Sequence, residues 1–435
     1  MASNWRSPMP APPSPSELVR PDAVHRTVYT DTAIFDAELE RIFGQVWFYV
    51  GHASEIPEPN DFVTRDIARR PMLMTRSRKG EIHVLLNRCR HRGATVCRRE
   101  SGKASRFTCP YHGWSYANSG ELNGVPWPEA YGPDFDKTQL PLHGARVEIR
   151  HGFVFACLNP SAPSLSEYLG AAEEILEMWV SRFPGSDLVA RNGKHKMVVP
   201  ANWKLVLDNS VDGYHPAFSH RSLLQMASRY GDGRDMSYFA DSPDNGPLYI
   251  QSLGHGHSLC DQRPAYDGAG SYFAQQRPAP GREFIESEAK KNLGEGAVNA
   301  LDLSVGAQMN FTIFPNLLLI GNQIQVLDPI SVDQTVLTWF ATTSPELPDS
   351  INTLRMRHQE DFPAFGEPDD LANFAECQRG LAIPEVEWVM TNRGLGDMDR
   401  VTIEGEVTTG PVTHEHPARG HFAFWRDLME GLWLK

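Results

Sequence analysis

Long apolar runs, cysteines and an excess of positive charge are all absent or scarce in this sequence of 435 residues. No apolar run reaches the roughly 18 residues that suggest a membrane-spanning helix, so no membrane span is expected. Six cysteines are too few for a disulfide scaffold at this length. With 41 Lys and Arg against 54 Asp and Glu, the formal charge of −13 argues against general binding to nucleic acid or anionic membranes.

The first 20 residues also lack the apolar segment of a secretory signal, and they are rich in proline. Because proline fixes φ and removes backbone donors, residues 1–20 are predicted to form a disordered tail. The rest has an ordinary globular composition, with 41% apolar and 22% charged residues. These features predict a soluble cytoplasmic protein.

The chain changes character at residue 45. Residues 45–165 contain short β-like runs separated by Gly, Pro and Asn turns, which predict a small antiparallel β domain. Residues 21–44 and 166–435 mix helical and strand patterns and predict an α+β body into which that domain is inserted. Helices are predicted at Asp31–Phe43 with Asp31 as the cap, at 166–183, at 350–390 and at His421–Leu432.

Two cysteines and two histidines form the first motif that indicates chemistry. Cys89 and His91 are followed 17 residues later by Cys109 and His112, in the pattern Cys-x-His-x17-Cys-x-x-His. A tetrahedral zinc site can use the same four ligands, but zinc motifs usually pair Cys with Cys and His with His. One Cys and one His from each loop suit a Rieske [2Fe–2S] cluster, in which one iron takes both Cys and the other both His.

A second group of metal-ligand residues lies downstream. Asp212, His215 and His220 form the pattern Asp-x2-His-x4-His. Two His with one distant carboxylate match the ligand set of non-haem Fe(II) oxygenases, which leaves positions open for O2 and substrate. The adjacent acids Asp369 and Asp370 are the candidates for the carboxylate, although acids at a helix start also favour the helix dipole. We choose Asp370 as the ligand.

Taken together, these motifs resemble the large (α) subunits of Rieske non-haem iron aromatic-ring-hydroxylating oxygenases, from about Asp31 to the C-terminus. Three features are similar to the benzoate, anthranilate and salicylate branch: Gly254-His255-Gly256-His257-Ser258, Phe314-Pro315-Asn316-Leu317, and Glu360-Asp361-Phe362 before Asp369-Asp370. The resemblance implies a β-sheet Rieske domain inserted in a catalytic domain whose antiparallel sheet is covered by helices, as in a helix-grip fold.

The resemblance also implies roles for individual residues. Cys89, His91, Cys109 and His112 would hold the cluster, and His215, His220 and Asp370 would hold Fe(II). Asp212 matches the family's bridging aspartate, which links His112 of one subunit to His215 of the next in a trimer. Asn209 would line the iron pocket and Tyr214 would support it. Many family members have Glu where this chain has Asp208, and we expect that change to matter little for the iron.

The implied reaction is hydroxylation of an aromatic ring, with an aromatic carboxylate as the expected substrate and a cis-dihydrodiol or a phenol as product. Electrons would come from NADH through a separate flavin reductase, with or without a ferredoxin, and small β subunits can accompany the trimer. The chain has no Gly-x-Gly-x-x-Gly fingerprint, so no nicotinamide site is expected in it.

Three other functions are open at this stage. A Rieske monooxygenase, either a salicylate-hydroxylase-like enzyme or a demethylase, would use the same metals. A Rieske electron carrier would not need residues 200–435, and a zinc-stabilised binding module would need only the first motif. Candidate pocket residues are Leu205, Val206, Phe218, Leu223, Leu224, Met226 and alternate positions of 310–326, most of which fit core packing as well. Arg221 and Arg229 are weak candidates for binding a substrate carboxylate.

Overall fold

The computed structural model describes residues 14–181, 188–191, 193–222, 225, 248–262, 283–284, 287, 290–291 and 309–433. The described α-helices are α1 (Pro15–Leu18), α2 (Thr27–Thr30), α3 (Thr32–Arg41), α4 (Leu165–Leu169), α5 (Ala171–Ser181), α6 (Trp203–Asn209), α7 (Pro216–Ser219), α8 (Asp349–Phe365), α9 (Glu367–Leu381) and α10 (His416–Met429). Among the described residues, no helix has the length and apolar character needed to span a bilayer.

Three small antiparallel sheets make up the region predicted as a β domain. Their strands are β2 (Phe48–His52), β3 (Asp61–Ile67), β4 (Arg70–Arg76), β5 (Ile82–Leu86), β6 (Ser101–Lys103), β7 (Arg106–Thr108), β8 (Ser115–Ala117), β9 (Leu122–Gly124), β10 (Arg146–Arg150) and β11 (Phe153–Cys157). The sheet orders are β5-β4-β3-β6, β7-β8-β9 and β10-β11-β2. A separate apolar core that includes Cys89, Cys109, Trp114 and Tyr116 lies between the first two sheets.

One nine-stranded antiparallel sheet forms the larger body. Its strands are β12 (Lys194–Val199), β13 (Tyr249–Ser252), β14 (Ser258–Asp261), β15 (Met309–Ile313), β16 (Leu317–Ile320), β17 (Gln323–Ser331), β18 (Gln334–Phe340), β20 (Thr402–Glu404) and β21 (Val407–Pro411). They lie in the order β12-β18-β17-β16-β15-β14-β13-β21-β20. The predicted α+β class with antiparallel sheets and covering helices is confirmed.

The chain before the β domain packs on the larger body. Strand β1 (Ala23–His25) pairs with β19 (Trp388–Met390), and α3 contacts α10. Asp31 caps α3 as predicted, because its carboxylate accepts from the amides of Ala33 and Ile34. These contacts agree with a β domain inserted between residues 44 and 166, although its exact limits stay a prediction.

Four buried side chains tie three helices together. Glu38 of α3 accepts hydrogen bonds from Lys204 Nζ at 2.6 Å, Trp203 Nε1 at 2.9 Å and Trp425 Nε1 at 2.7 Å. Glu38 and Lys204 are almost completely buried, so each charge has the other as its partner in place of water. The contacts fix α6 against α3 and α10, and α6 leads directly into the Asp212–His220 stretch.

Four predictions of local structure need correction. The predicted helix at 350–390 is divided at Gly366 into α8 and α9, and its last residues form strand β19 instead. Disorder of residues 1–20 is wrong for Pro15–Leu18, which form a helical turn with Leu18 buried; residues 1–13 lie outside the described residues. The predicted helix at 166–183 is interrupted at Gly170, whose φ is +51°, giving α4 and α5. The last helix begins at His416 and not at His421, with Pro417 in its first turn, where a missing amide proton costs no helical bond.

Candidate metal centres

Two matching turns present the first motif. The amide of Cys89 donates to the carbonyl oxygen of Ala94 at 2.8 Å, and that of Cys109 donates to Trp114 at 2.7 Å. Gly93 and Gly113 have φ of +78° and +73°, a left-handed conformation that glycine adopts without strain, and each donates to the cysteine carbonyl four residues earlier. The loops are therefore near copies of one another.

The side chains of the two loops converge, with the thiols inside and the imidazoles outside. Cys89 and Cys109 are buried and their thiols contact each other, while the rings of His91 and His112 lie 4.5 Å apart, centroid to centroid. His91 also stacks on Trp114 at 5.0 Å. Burial, followed by the nearby His112 and Arg92, lowers the pKa of His91, which favours the neutral imidazole that binds metals.

The spread of these four side chains distinguishes a cluster from zinc. The ligand atoms of one tetrahedral zinc lie about 4 Å apart, since zinc–ligand bonds are about 2.0–2.3 Å long. Within the part of the chain that the structure describes, only one trio of His, Cys, Asp or Glu ligands has atoms within 4.8 Å of one another, and it contains none of these four residues. Two sulfurs on one side and two imidazoles on the other suit a two-iron cluster, and the Nδ1 atom of His91 is buried without a hydrogen bond.

Tyr116, which the two ligand motifs do not include, touches the cluster site. Its hydroxyl lies 3.3 Å from Cys89 Sγ and accepts the amide of Arg90 at 3.0 Å. A cysteine that holds a cluster is a thiolate and can only accept, so with the cluster bound the phenol would donate to this sulfur. Burial and the contact with Cys89 raise the pKa of Tyr116, so the phenol keeps its proton. Its position on β8, the strand that directly follows the second cluster loop, is a signal that could have indicated it.

The second motif meets in a compact trio. Asn202 caps the start of α6, and the chain turns after that helix ends. His215 comes directly before Pro216 at the start of α7, and His220 follows the last residue of α7. The Nε2 atoms of His215 and His220 lie 3.7 Å and 3.4 Å from the same oxygen, Asp370 Oδ1. That oxygen is buried and has no hydrogen bond, as expected for a ligand atom that faces a metal ion.

The structure separates the two adjacent acids of α9. Asp370 is buried and faces the Nε2 atoms of both His, whereas Asp369 is partly exposed and lies 3.5 Å from His220 Nδ1, on the far side of that ring. Burial lowers the pKa of His220, but the two acids together raise it above its ordinary value. This arrangement favours Asp370 over Asp369 as the ligand.

Asp212 lies behind His215, with His215 Nδ1 3.5 Å from Asp212 Oδ2. Asp212 Oδ1 accepts the amide of Tyr214 at 2.5 Å. Burial raises the pKa of Asp212, but the His215 contact and the backbone amides outweigh it, so the net pKa is lowered. The carboxylate is 40% exposed and can be reached from outside this chain.

Other predicted residues have mixed outcomes. Asn209 ends α6, and Tyr214 is exposed beneath the guanidinium of Arg393, which lies 4.3 Å from the ring centroid. Val206 packs in the main core, whereas Phe218 is exposed. Leu223, Leu224, Met226 and Arg229 lie outside the described residues, and Arg221 is exposed.

Glu367, one turn before Asp370, is also outside the two ligand motifs. It is buried, and burial together with the nearby Asp370 raises its pKa to about 8, against a smaller opposing effect of His220. At neutral pH it is therefore mostly protonated and adds little negative charge beside the ligand trio. No sequence pattern distinguishes it from an ordinary acid in the first turn of a helix.

A family model described as the Rieske [2Fe-2S] domain matches residues 46–141, and one described as the ring hydroxylating alpha subunit, catalytic domain, matches residues 186–431. The chain belongs to the ring-hydroxylating alpha subunit family. It is therefore a Rieske non-haem iron oxygenase, with a [2Fe–2S] cluster and a mononuclear iron as cofactors. The family assignment excludes a zinc-stabilised binding module and a Rieske electron carrier.

Full-length relatives in this family agree with the predicted branch. The chain is 33% identical to the 2-halobenzoate 1,2-dioxygenase large subunit of Burkholderia cepacia, over 85% of this chain and 79% of that protein. It is 31% identical to the anthranilate 1,2-dioxygenase large subunit of Acinetobacter baylyi, over 94% and 90%. A naphthalene 1,2-dioxygenase structure with indole in its active site superposes with a TM-score of 0.78 at 27% identity, over 96% of this chain and 94% of that one.

A shorter match connects the chain to a different reaction. The N,N-dimethyl phenylurea N-demethylase subunit alpha of a Sphingobium species is 41% identical, but over only 48% of this chain and 46% of that protein. This identity is higher than the 31–33% of the two large subunits above, but the match covers only about half of either protein. Family membership alone therefore leaves the reaction open between dioxygenation and demethylation.

Proposed function

We propose that this chain is the terminal oxygenase subunit of a multicomponent dioxygenase that hydroxylates an aromatic carboxylate. The reaction takes both atoms of O2, two electrons from NADH and two protons, and it yields a cis-dihydrodiol. The electrons arrive through a separate flavin reductase, with or without a ferredoxin. The observation that carries the substrate class is that relatives named for 2-halobenzoate, anthranilate and toluate are 31–33% identical over 85–94% of this chain. Relatives named for biphenyl and chlorobenzene are 29–31% identical over 92% of it, so the preference for a carboxylate is what the substrate test must decide.

The proposed ligand sets follow the geometry of the two sites. Cys89, His91, Cys109 and His112 hold the cluster within residues 45–165. His215, His220 and Asp370 hold the mononuclear iron within the catalytic domain of residues 21–44 and 166–435. When bound, the cluster supplies single electrons and the mononuclear iron activates O2 beside the substrate.

The surrounding residues orient the ligands and control access. Asp212 fixes the ring of His215 and offers its exposed carboxylate to His112 of a neighbouring subunit in a homotrimer, with or without small β subunits. Asn209 lines the iron pocket, and Tyr214 supports the Asp212 loop beneath Arg393. Exposed aromatic side chains at both centres, Tyr111 at 59% and Phe218 at 72%, support burial of both surfaces in an assembly.

Iron analysis is the direct test of the two centres. Protein purified without O2 should contain about three irons per chain and show a visible spectrum that bleaches with dithionite. His215→Ala should lose one iron and keep the cluster spectrum. Asp212→Asn should keep all three irons and lose turnover, and full turnover in that variant would contradict the bridging role.

Isotope labelling tests the reaction. With a reductase supplied, benzoate, anthranilate and salicylate should be compared with naphthalene and biphenyl under 18O2. Two labelled oxygens in a diol from a carboxylate substrate would support the proposal. One labelled oxygen would identify a monooxygenase, and turnover of hydrocarbons alone would reject the carboxylate class.

N-demethylation is the second candidate, and the 41% identity to the phenylurea demethylase subunit supports it. Incubation with an N,N-dimethyl phenylurea should then release formaldehyde in a 1:1 ratio with NADH oxidised. The same substrate should give no formaldehyde if the dioxygenase proposal is correct.

A further inference from the structure

A buried chain of three hydrogen-bonded side chains lies behind the iron site. His421 of α10 contacts Asp208 of α6 through Nδ1, 3.0 Å from Oδ1, and Ser258 of β14 through Nε2, 2.9 Å from Oγ. Ser258 and His421 are buried, and Asp208 is mostly buried. Three separate elements of the catalytic body meet in this hydrogen-bonded chain, and none of its members is a proposed metal ligand.

The donors can be assigned from the chemistry of the groups. An ionised carboxylate only accepts, so His421 Nδ1 donates to Asp208. In the neutral imidazole Nε2 is then an acceptor, and the hydroxyl of Ser258 donates to it. The same order of groups occurs in serine hydrolases, but Ser258 has no exposed surface and no substrate can reach its hydroxyl. The hydrogen-bonded chain of Ser258, His421 and Asp208 therefore orients Asp208 and does not react with a bound ligand.

Asp208 is next to the loop that carries Asp212. It precedes Asn209, whose carbonyl oxygen accepts the amide of Asp212 at 3.2 Å. Burial, together with the charge of Asp212, raises the pKa of Asp208 above its ordinary value, and the contacts with His421 and Lys204 oppose this rise. His421 is thus the strongest stabilising partner of a carboxylate that lies close to a second carboxylate.

Close packing by the segment just before α10 also holds the loop that carries Asp212 in place. A Cβ atom on Gly213 would lie 2.2 Å from Val412 Cγ2, so the loop rests directly on the chain that leads into α10. Ser210 is also fixed, with its hydroxyl 2.8 Å from Thr312 Oγ1. The hydrogen bond from His421 to Asp208 is the polar contact between α10 itself and the end of α6.

We propose that His421 is a positioning residue for electron transfer into the iron site, because it fixes Asp208 and, through the end of α6, the orientation of Asp212. The inference rests on the proposed bridging role of Asp212. Orienting groups of this kind typically change activity about 10–100-fold when they are removed.

Two substitutions of His421 separate its two contacts. In His421→Asn the side-chain amide nitrogen takes the place of Nδ1 and can still donate to Asp208. In His421→Gln the amide reaches the position of Nε2, near Ser258, and leaves Asp208 without its donor. Iron content, visible spectrum, melting temperature and the stopped-flow rate of cluster reoxidation in a single turnover should be measured for both.

The expected result is specific to the Asp208 contact. His421→Gln should retain three irons and the cluster spectrum but slow reoxidation about 10–100-fold, while His421→Asn stays close to wild type. His416→Gln is the matched control: His416 lies on the same helix and contacts the carbonyl oxygen of Ile250 through Nε2 at 2.9 Å, a bond that the glutamine amide can keep, so iron content and reoxidation should stay at their wild-type values. Equal slowing in all three variants would overturn the proposal.

Asp208→Ala keeps the test valid if His421→Gln does not fold. It should slow reoxidation to a similar extent, and the double variant Asp208→Ala/His421→Gln should be no slower than Asp208→Ala. Additive slowing would overturn the proposal. If Asp212→Asn reoxidises normally, the proposed bridge itself fails; if it is slow while His421→Gln is normal, only the role of His421 fails.

Discussion

Two neighbouring acids on one helix turn have different surroundings, and a matched pair of substitutions tests their roles. Asp370 faces the Nε2 atoms of both His, whereas Asp369 faces only His220 Nδ1. We expect Asp370→Asn to reduce the mononuclear iron from about one per chain to a small fraction, since a neutral amide is a poor iron ligand. Asp369→Asn should retain most of it. Total iron and the cluster spectrum check both, and equal losses would contradict the assignment.

A single hydroxyl should tune the cluster. Tyr116 donates to Cys89 Sγ, and such a donor stabilises the reduced, more negative cluster. Tyr116→Phe should therefore lower the reduction potential by about 40–60 mV, which corresponds to a hydrogen bond of about 1–1.4 kcal/mol. A redox titration followed by circular dichroism measures this shift.

Tyr111→Phe is the control for that measurement. Tyr111 lies in the second cluster loop, but its side chain is 59% exposed. The reduction potential of the Tyr111→Phe variant should equal that of the wild type. A shift of the same size in both variants would mean that loss of any nearby hydroxyl, and not the bond to Cys89, changes the potential.

At the scale of elements, the Glu38 network joins α3, α6 and α10, and it should dominate the stability of the catalytic body. Burial lowers the pKa of Lys204 below its ordinary value, and the contact with Glu38 opposes this shift and favours the charged ammonium. Glu38→Gln leaves a buried ammonium without its partner and should lower the free energy of unfolding by about 3–5 kcal/mol. Denaturant unfolding followed by tryptophan fluorescence is a suitable measurement.

The double variant Glu38→Gln/Lys204→Met provides the comparison. It removes both charges and should recover a substantial part of the lost stability, because no buried ion remains unpaired. A double variant as unstable as Glu38→Gln would show that the hydrogen bonds to Trp203 and Trp425 matter more than the ion pair.

Local signals allowed the elements and the ligands to be predicted. Asp31 stands before a stretch in which apolar residues recur with the helical period, a pattern that predicts a capped helix. The spacing of Cys89, His91, Cys109 and His112 likewise restricts the kind of metal centre that the two loops can hold. Each of these signals lies within a short stretch of chain. The structure brings together His215, His220 and Asp370 as the sequence patterns indicated.

Contacts between distant segments could not be predicted in the same way. His421 and Asp208 are separated by 213 positions, and the pairing of β1 with β19 joins the two ends of the catalytic body. Single His, Ser and Asp residues have no spacing that distinguishes a partner from a surface group. The burial of Glu367 likewise depends on how α9 packs, which the pattern of that helix does not reveal.

At the scale of the whole molecule, both centres have exposed side chains in the single chain. Trp127 is 79% exposed. It lies near the cluster loops, because Pro126, the residue before it, would be only 2.9 Å from a Cβ atom placed on Gly113. Asp212 and Tyr214 are exposed at the iron site. Large apolar side chains are costly to leave in water, so these surfaces favour burial against another subunit.

A mixed trimer tests whether electrons cross between subunits. His112→Ala should disable the cluster and His215→Ala the mononuclear iron, so neither variant alone should turn over. If the cluster of one subunit serves the iron of the next in a closed ring, random co-assembly places an intact cluster beside an intact iron at about a quarter of the interfaces. Co-expressed variants with two different tags, purified through both, should then regain about that share of wild-type activity or more.

Mixing the two purified homotrimers after assembly is the control, because subunits that do not exchange should stay inactive. Electron transfer within one chain predicts no activity in either preparation, since every chain then lacks one of its two centres. Recovery in the co-expressed trimer would assign the productive path to a subunit boundary and would support the proposed bridging role of Asp212. No recovery from a trimer shown to contain both variants and all expected iron would reject that path.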